Sequence, residues 1–244
     1  MTNLPCPFFR RLAVLVALAA FLSMRPGAVA ENGETDAPDL RVMSFNIRNS
    51  GAEDGDNRWE VRADAVLETI REFKPDLLGV QEVLADQHEF LQEQLPDYRM
   101  VGVARDDGAR LGEWSAILFR ADRFEMIDHG DFWLSETPAE VGSRSWDAAC
   151  VRICTWARLR DRRTNATLLY ANTHFDHRSA EARLRSAELL VQHLPKLPDG
   201  GGVILTGDFN CTEDDPPYRV LVPSSPATSG FILNDSYRSA HPKR

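Results

Sequence analysis

Residues Val203–Asn210 read Val-Ile-Leu-Thr-Gly-Asp-Phe-Asn, a short apolar run closed by a glycine and two polar groups. Val203 to Leu205 predicts a fully buried strand. At Gly207 a strand can stop and let its backbone come close to a ligand. Asp208 and Asn210 lie two apart, so in extended backbone they face the same way and Phe209 faces the other. A carboxylate and a carboxamide together at a strand's C-terminal end can grip a divalent cation, a water or a phosphate oxygen. The same residues also suit an Asx-rich turn after a core strand. The rest of the chain has to decide between the two.

The pattern of an apolar run with a polar end recurs three times. Arg41–Ile47 alternates as a strand and carries Asn46 near its end. Asp76–Val83 predicts a second buried strand, ending in Gln81-Glu82; a glutamate there is costly unless it is paired or holds a metal. Thr167–Asp176 predicts another strand, on which Asn172, His174 and Asp176 share a face by period two. Four strand ends thus deliver Asn46, Glu82, His174, and Asp208 with Asn210, where α/β active sites lie. The set is acidic, amide and imidazole, with no cysteine and no obvious serine nucleophile. It suits Mg²⁺ or Mn²⁺ on carboxylates and phosphate-ester hydrolysis by activated water. A two-carboxylate glycosidase is the alternative on chemistry alone, but it needs no metal and leaves two asparagines unexplained.

Between these strands the periodicity predicts helices led by Trp59, over Asp86–Leu95 and over Ser179–Leu194, the first stopped by Pro75 and the last by Pro195. Tyr98–Ala104, Ser115–Arg120, Phe124–Leu134 and Val151–Leu159 are further strands. The charged, glycine-containing segment 105–113 reads as a surface loop. Helices between some strands and runs of strands elsewhere predict mixed sheets, not a purely parallel one. Cys150 and Cys154 are assigned to one strand, four residues apart, too far for a disulfide. With Cys211 they are read as core filler.

The first 30 residues differ in kind. Arg10 and Arg11 precede the apolar run Leu12 to Leu22, and Ala28-Val29-Ala30 offers small residues before a cut. This is the layout of a secretory signal peptide, so residues 1–30 are expected to be removed near Ala30, giving a secreted or periplasmic protein. Residues 31–39 are then a flexible lead-in and 40–244 one domain. Removing residues 1–30 takes away three arginines and no acids, which leaves 25 basic and 37 acidic residues, a net charge of −12. That excess of acid argues against loose nucleic-acid binding. No stable protein partner is evident, and a monomer is expected.

In these segments the chain resembles the endonuclease/exonuclease/phosphatase superfamily, the deoxyribonuclease-I-like fold. The resemblance rests on Ser44-Phe45-Asn46-Ile47, Pro75 to Val83, Asn172-Thr173-His174-Phe175-Asp176-His177 and Gly207-Asp208-Phe209-Asn210, in the family's order, over about residues 40–240. Arg58-Trp59 with Arg62, and Arg152 followed by Thr155-Trp156, resemble the secreted bacterial branch. The resemblance implies an α+β fold, a four-layer α/β sandwich of two mixed β-sheets packed face to face with helices outside. It implies a Mg²⁺- or Mn²⁺-dependent hydrolase acting on a phosphodiester or phosphomonoester, its substrate a nucleic acid, small molecule or lipid head group. Glu82 is then the main metal ligand, with Asn46 steadying the metal or its water and Asp208 a further ligand or the base. Asn210 helps Asp208, His174 bonds the scissile phosphate and protonates the leaving group, and Arg152 neutralises a phosphate oxygen. Asp176, His177 and Asp235 are site neighbours. The family closes with an Asp-His strand that does not occur before Arg244. The last strand is therefore expected to be missing, with an open sheet edge, and an inactive or binding-only homologue is the alternative.

Overall fold

The computed structural model describes residues 18–20, 40–194, 201–223 and 233–242. The rest of the expected leader, the lead-in 31–39, Pro195 and most of the late Ser/Pro loop lie outside the described residues. In chain order the elements are β1 (Leu18–Ala20), β2 (Val42–Asn46), α1 (Trp59–Phe73), β3 (Leu77–Gln81), α2 (Ala85–Gln94), β4 (Tyr98–Val101), β5 (Ile117–Arg120), β6 (Phe124–Trp133), β7 (Ile153–Asp161), β8 (Thr167–His174), α3 (Ala180–His193), β9 (Val203–Asp208), α4 (Pro216–Leu221) and α5 (Ser236–Ala240).

One sheet has the order β2-β3-β5-β4 and the other β1-β9-β8-β7-β6. Both are mixed, since β2 and β3 run parallel, as do β8 and β9, while the remaining pairs are antiparallel. Leu18–Ala20, inside the expected leader, extends the second sheet by pairing with Leu205–Val203. Cleavage near Ala30 would remove this strand and return β9 to the edge. Cys150 lies in the loop before β7, not on the strand as expected, because pairing with β8 starts at Cys154. Among the described residues no helix is long and apolar enough to cross a membrane.

Three apolar layers alternate with the elements. Met43, Phe45 and Val80 on one sheet meet Trp59, Val66 and Ile70 of α1. Leu77, Ile117 and Phe119, on the other face of that sheet, meet Phe124, Leu159, Tyr170 and Ile204 between the sheets. Cys154, Leu169, Ala171 and Leu205 face Ala187 and Leu190 of α3. The result is helix, sheet, sheet, helix, as the strand periodicity requires when both faces of each sheet are covered. Pro75 ends α1 as expected, after Lys74 takes the left-handed conformation at φ 51°.

Two polar clusters interrupt the apolar layers. At one end of the sandwich Arg123, 2% exposed, pairs with Asp76 at 2.6 Å and Asp161 at 2.8 Å. In the middle Asn172 is fully buried and donates to the carbonyls of Val80 and Ala116, both at 2.9 Å, across the sheet interface. Its oxygen accepts from Gln81 Nε2 at 2.7 Å and Thr206 Oγ1 at 3.0 Å. Every polar atom of this side chain is therefore satisfied, which a buried carboxamide requires. Gly79 is forced to be glycine at this seam: a Cβ there would lie 2.3 Å from Thr206 Oγ1 and 2.5 Å from Asn172 Oδ1.

Candidate active site

The C-terminal ends of β2, β3, β8 and β9 converge. Parallel pairing sets Asn46 beside Gln81 and His174 beside Asp208. The Asn46 carboxamide then spans the two sheets: its Nδ2 donates to Glu82 Oε1 at 2.8 Å and Asp208 Oδ2 at 3.0 Å. Its oxygen accepts from Arg48 N at 2.9 Å, which fixes how the amide is oriented. Glu82 follows β3 at φ 61°, and Asn210 follows β9 at φ 46°. Left-handed backbone at two non-glycine residues is costly, and such outliers gather at functional sites.

Asn210 organises the other half. Its Nδ2 donates to Phe175 O at 3.0 Å and lies 3.1 Å from His174 Nε2, and its backbone N–H donates to Asp208 Oδ1 at 3.1 Å. His174 Nε2 is 3.8 Å from Asp208 Oδ2. Burial, then the positive charges of Arg152 and Arg105, push the His174 pKa well below the ordinary histidine value. That direction favours the neutral ring.

Three residues that the sequence did not single out join this group. Segment 105–113 was expected as a surface loop, but its base is at the site. Trp114 pairs with Val83 in an isolated bridge, which sets Glu113 next to the Glu82 end of β3. Glu113 takes Arg105 Nη1 at 2.5 Å and lies 4.0 Å from His174 Nδ1. Burial raises the Glu113 pKa against the pull of Arg105. Asn49 joins the two acids, its Nδ2 lying 3.2 Å from Glu82 Oε2 and 3.4 Å from Glu113 Oε1. The signal for Glu113 was a lone acid directly before the buried run Trp114 to Phe119; Asn49 carried none beyond its loop.

The three polar groups that alternate on β8 separate in role. His174 is in the site, while Asn172 is spent on the sheet interface. Asp176, fully buried just past β8, holds a loop: its carboxylate accepts the backbone N–H groups of Ala149, Cys150, Arg178 and Ser179. Burial pushes its pKa up, but the bonds from Ser179, Arg178 and Cys150, with the charge of Arg152, outweigh it and hold the group below the ordinary aspartate range. Arg152, 4% exposed, is 3.8 Å from Asp176 and sends Nη2 to His177 Nδ1 at 3.1 Å. Its Nε and Nη1 are buried without hydrogen-bond partners. Asp235 accepts from Tyr218 Oη and Arg238 N, so its bonds join α4 to α5.

Among the described residues no three of His, Cys, Asp and Glu cluster as a metal site. The donor set that does occur is two carboxylates, Glu82 and Asp208, drawn to the two N–H groups of one amide nitrogen. A partial positive charge stands where they converge, and a hard oxygen-seeking cation with retained waters fits that same chemistry.

A model of the Endonuclease/Exonuclease/phosphatase family matches residues 43–243. The solved endonuclease/exonuclease/phosphatase from Bacteroides vulgatus is 40% identical, with a TM-score of 0.72 over 75% of this chain and 70% of that one. A mannosyl-6-phosphatase from Bacteroides thetaiotaomicron is 38% identical, with a TM-score of 0.72 over 75% of this chain and 69% of that one. Nocturnin from Xenopus laevis is 26% identical over 89% of this chain and 57% of its own length. The chain spans about half the length of relatives such as nocturnin.

Proposed function

The chain belongs to the endonuclease/exonuclease/phosphatase family, and from that premise we propose that it is a Mg²⁺- or Mn²⁺-dependent hydrolase that cleaves phosphate esters by direct attack of water. One observation carries this: the Asn46 amide bonded to both Glu82 and Asp208, which draws two acids from different sheets to one point. Glu82 and Asp208 would hold the cation, with the Asn46 amide N–H groups orienting both carboxylates. When bound it supplies Lewis-acid charge on phosphate oxygens and acidifies water.

The chain's own groups divide the remaining work. Asp208, held by the Asn210 backbone N–H, accepts the proton of the attacking water. His174 is neutral before substrate arrives. A phosphate dianion supplies the counter-charge that the buried ring lacks, so the ring takes a proton from bulk water as substrate binds, and the imidazolium then gives that proton to the leaving oxygen. Arg105 and Arg152 add positive potential behind that ring.

A small-molecule phosphomonoester is the favoured substrate. The mannosyl-6-phosphatase at 38% identity supports it, as does the acidic net charge, which disfavours polyanionic nucleic acid. The leader-like residues 1–30 support export with cleavage near Ala30. The test is Mg²⁺-dependent turnover of sugar phosphates, bis(p-nitrophenyl) phosphate, RNA and DNA. EDTA should abolish activity, and Glu82→Gln should lower it by roughly 100-fold or more. Full activity in Glu82→Gln would overturn the assignment, and a binding-only homologue would turn over none of these substrates.

A further inference from the structure

Two imidazoles stand three residues apart, and their partners give them opposite tautomers. Asn210 Nδ2 donates to Phe175 O, a group that can only accept, so its nitrogen is identified. The same nitrogen meets His174 Nε2, which therefore accepts and leaves the ring proton on Nδ1. His177 is reversed. Its Nδ1 lies 3.1 Å from Arg152 Nη2, and a guanidinium has donors only. Nδ1 must accept, so the proton sits on Nε2, on an exposed residue three positions after His174. Arg152 itself is buried beneath, between His177 and Asp176, and Asp176 grips the backbone N–H of Arg178 and Ser179 on the far side of His177.

We propose that His177 binds a phosphate oxygen of the substrate through its Nε2–H, and that Arg152 is the positioning residue that sets this tautomer. The proposal rests on the phosphoesterase function above. It gives the pocket a neutral donor that needs no prior protonation, beside a His174 whose Nε2 is an acceptor until it is protonated. Its role is binding, so its loss should appear in KM before kcat.

The test uses the full chain, labelled with ¹⁵N, and long-range ¹H–¹⁵N spectra of the imidazoles. His177 should show an unprotonated Nδ1 and a protonated Nε2, and inorganic phosphate should shift its Nε2 resonance. Arg152→Met should mix the tautomers, and Arg152→Lys, which restores a donor, should recover the single form. In kinetics, His177→Leu should raise KM roughly tenfold or more, the worth of one hydrogen bond to a charged group. His177→Gln, whose amide nitrogen reaches a similar position, should recover most of it. A His177 Nε2 resonance unmoved by phosphate, or a wild-type KM in His177→Leu, would overturn the proposal. Absence of turnover on every phosphate ester would instead remove the proposed function, and the phosphate titration would still judge the role of His177.

Discussion

Asn46 Nδ2 lies within 3.0 Å of carboxylate oxygens from both sheets, Glu82 after β3 and Asp208 on β9. Asn46→Ala removes the donor and leaves two acids facing each other. Activity should fall by roughly 10- to 100-fold, the usual cost of losing a group that orients a metal ligand. Mn²⁺ titration calorimetry should show weaker binding, while thermal stability changes little. Unchanged kinetics would show that the bridge is incidental.

Arg123 is caught between Asp76 and Asp161 at the end of the sandwich away from the site. Arg123→Ala strands two buried carboxylates, which costs about 3–5 kcal/mol. Urea denaturation measures this. A loss under about 1 kcal/mol would mean the acids find water or other partners.

Gly79→Ala drives a methyl into Asn172 and Thr206. Overpacking of this kind costs about 1–3 kcal/mol. Because Gln81 bonds the same Asn172 oxygen, and Glu82 follows it, activity should fall even where the variant stays folded. A stable variant with normal kcat/KM would uncouple the seam from the site.

Asp176 has its pKa held below the ordinary value of 3.8. A group depressed on folding lends stability that is complete above its unfolded pKa and is lost as pH falls through the folded one. The stability gap between wild type and Asp176→Asn should therefore be widest near neutral pH and narrow as pH drops below 3.8. A gap that stayed constant down to acid unfolding would contradict this.

The parts legible in the sequence were those in which one residue type interrupts a long pattern. Glu82 and Asp208 stand out because an acid is out of place at the end of an apolar run, and the structure puts both at the site. The helix led by Trp59 was equally plain, from apolar spacing and the stop at Pro75. Period two could place Asn172, His174 and Asp176 on one face but could not divide them. Their roles depend on depth: Asn172 is covered by the opposite sheet, and Asp176 is past the strand's end where a loop folds back. Arg105 and Glu113 were hidden because a charged, glycine-containing segment looks the same whether it faces water or turns its base inward. Only the bridge between Val83 and Trp114, a long-range contact, brings them in.

Neither sheet carries the candidate site alone: Asn46 and Glu82 belong to one, His174, Asp208 and Asn210 to the other, and the Asn172 seam rivets the two together. If the chain hydrolyses phosphate esters as proposed, turnover is a gauge of inter-sheet spacing. Pressure, a wedge-like ligand or a swollen core that parts the layers by a fraction of an ångström should silence the enzyme while circular dichroism still reports a native fold.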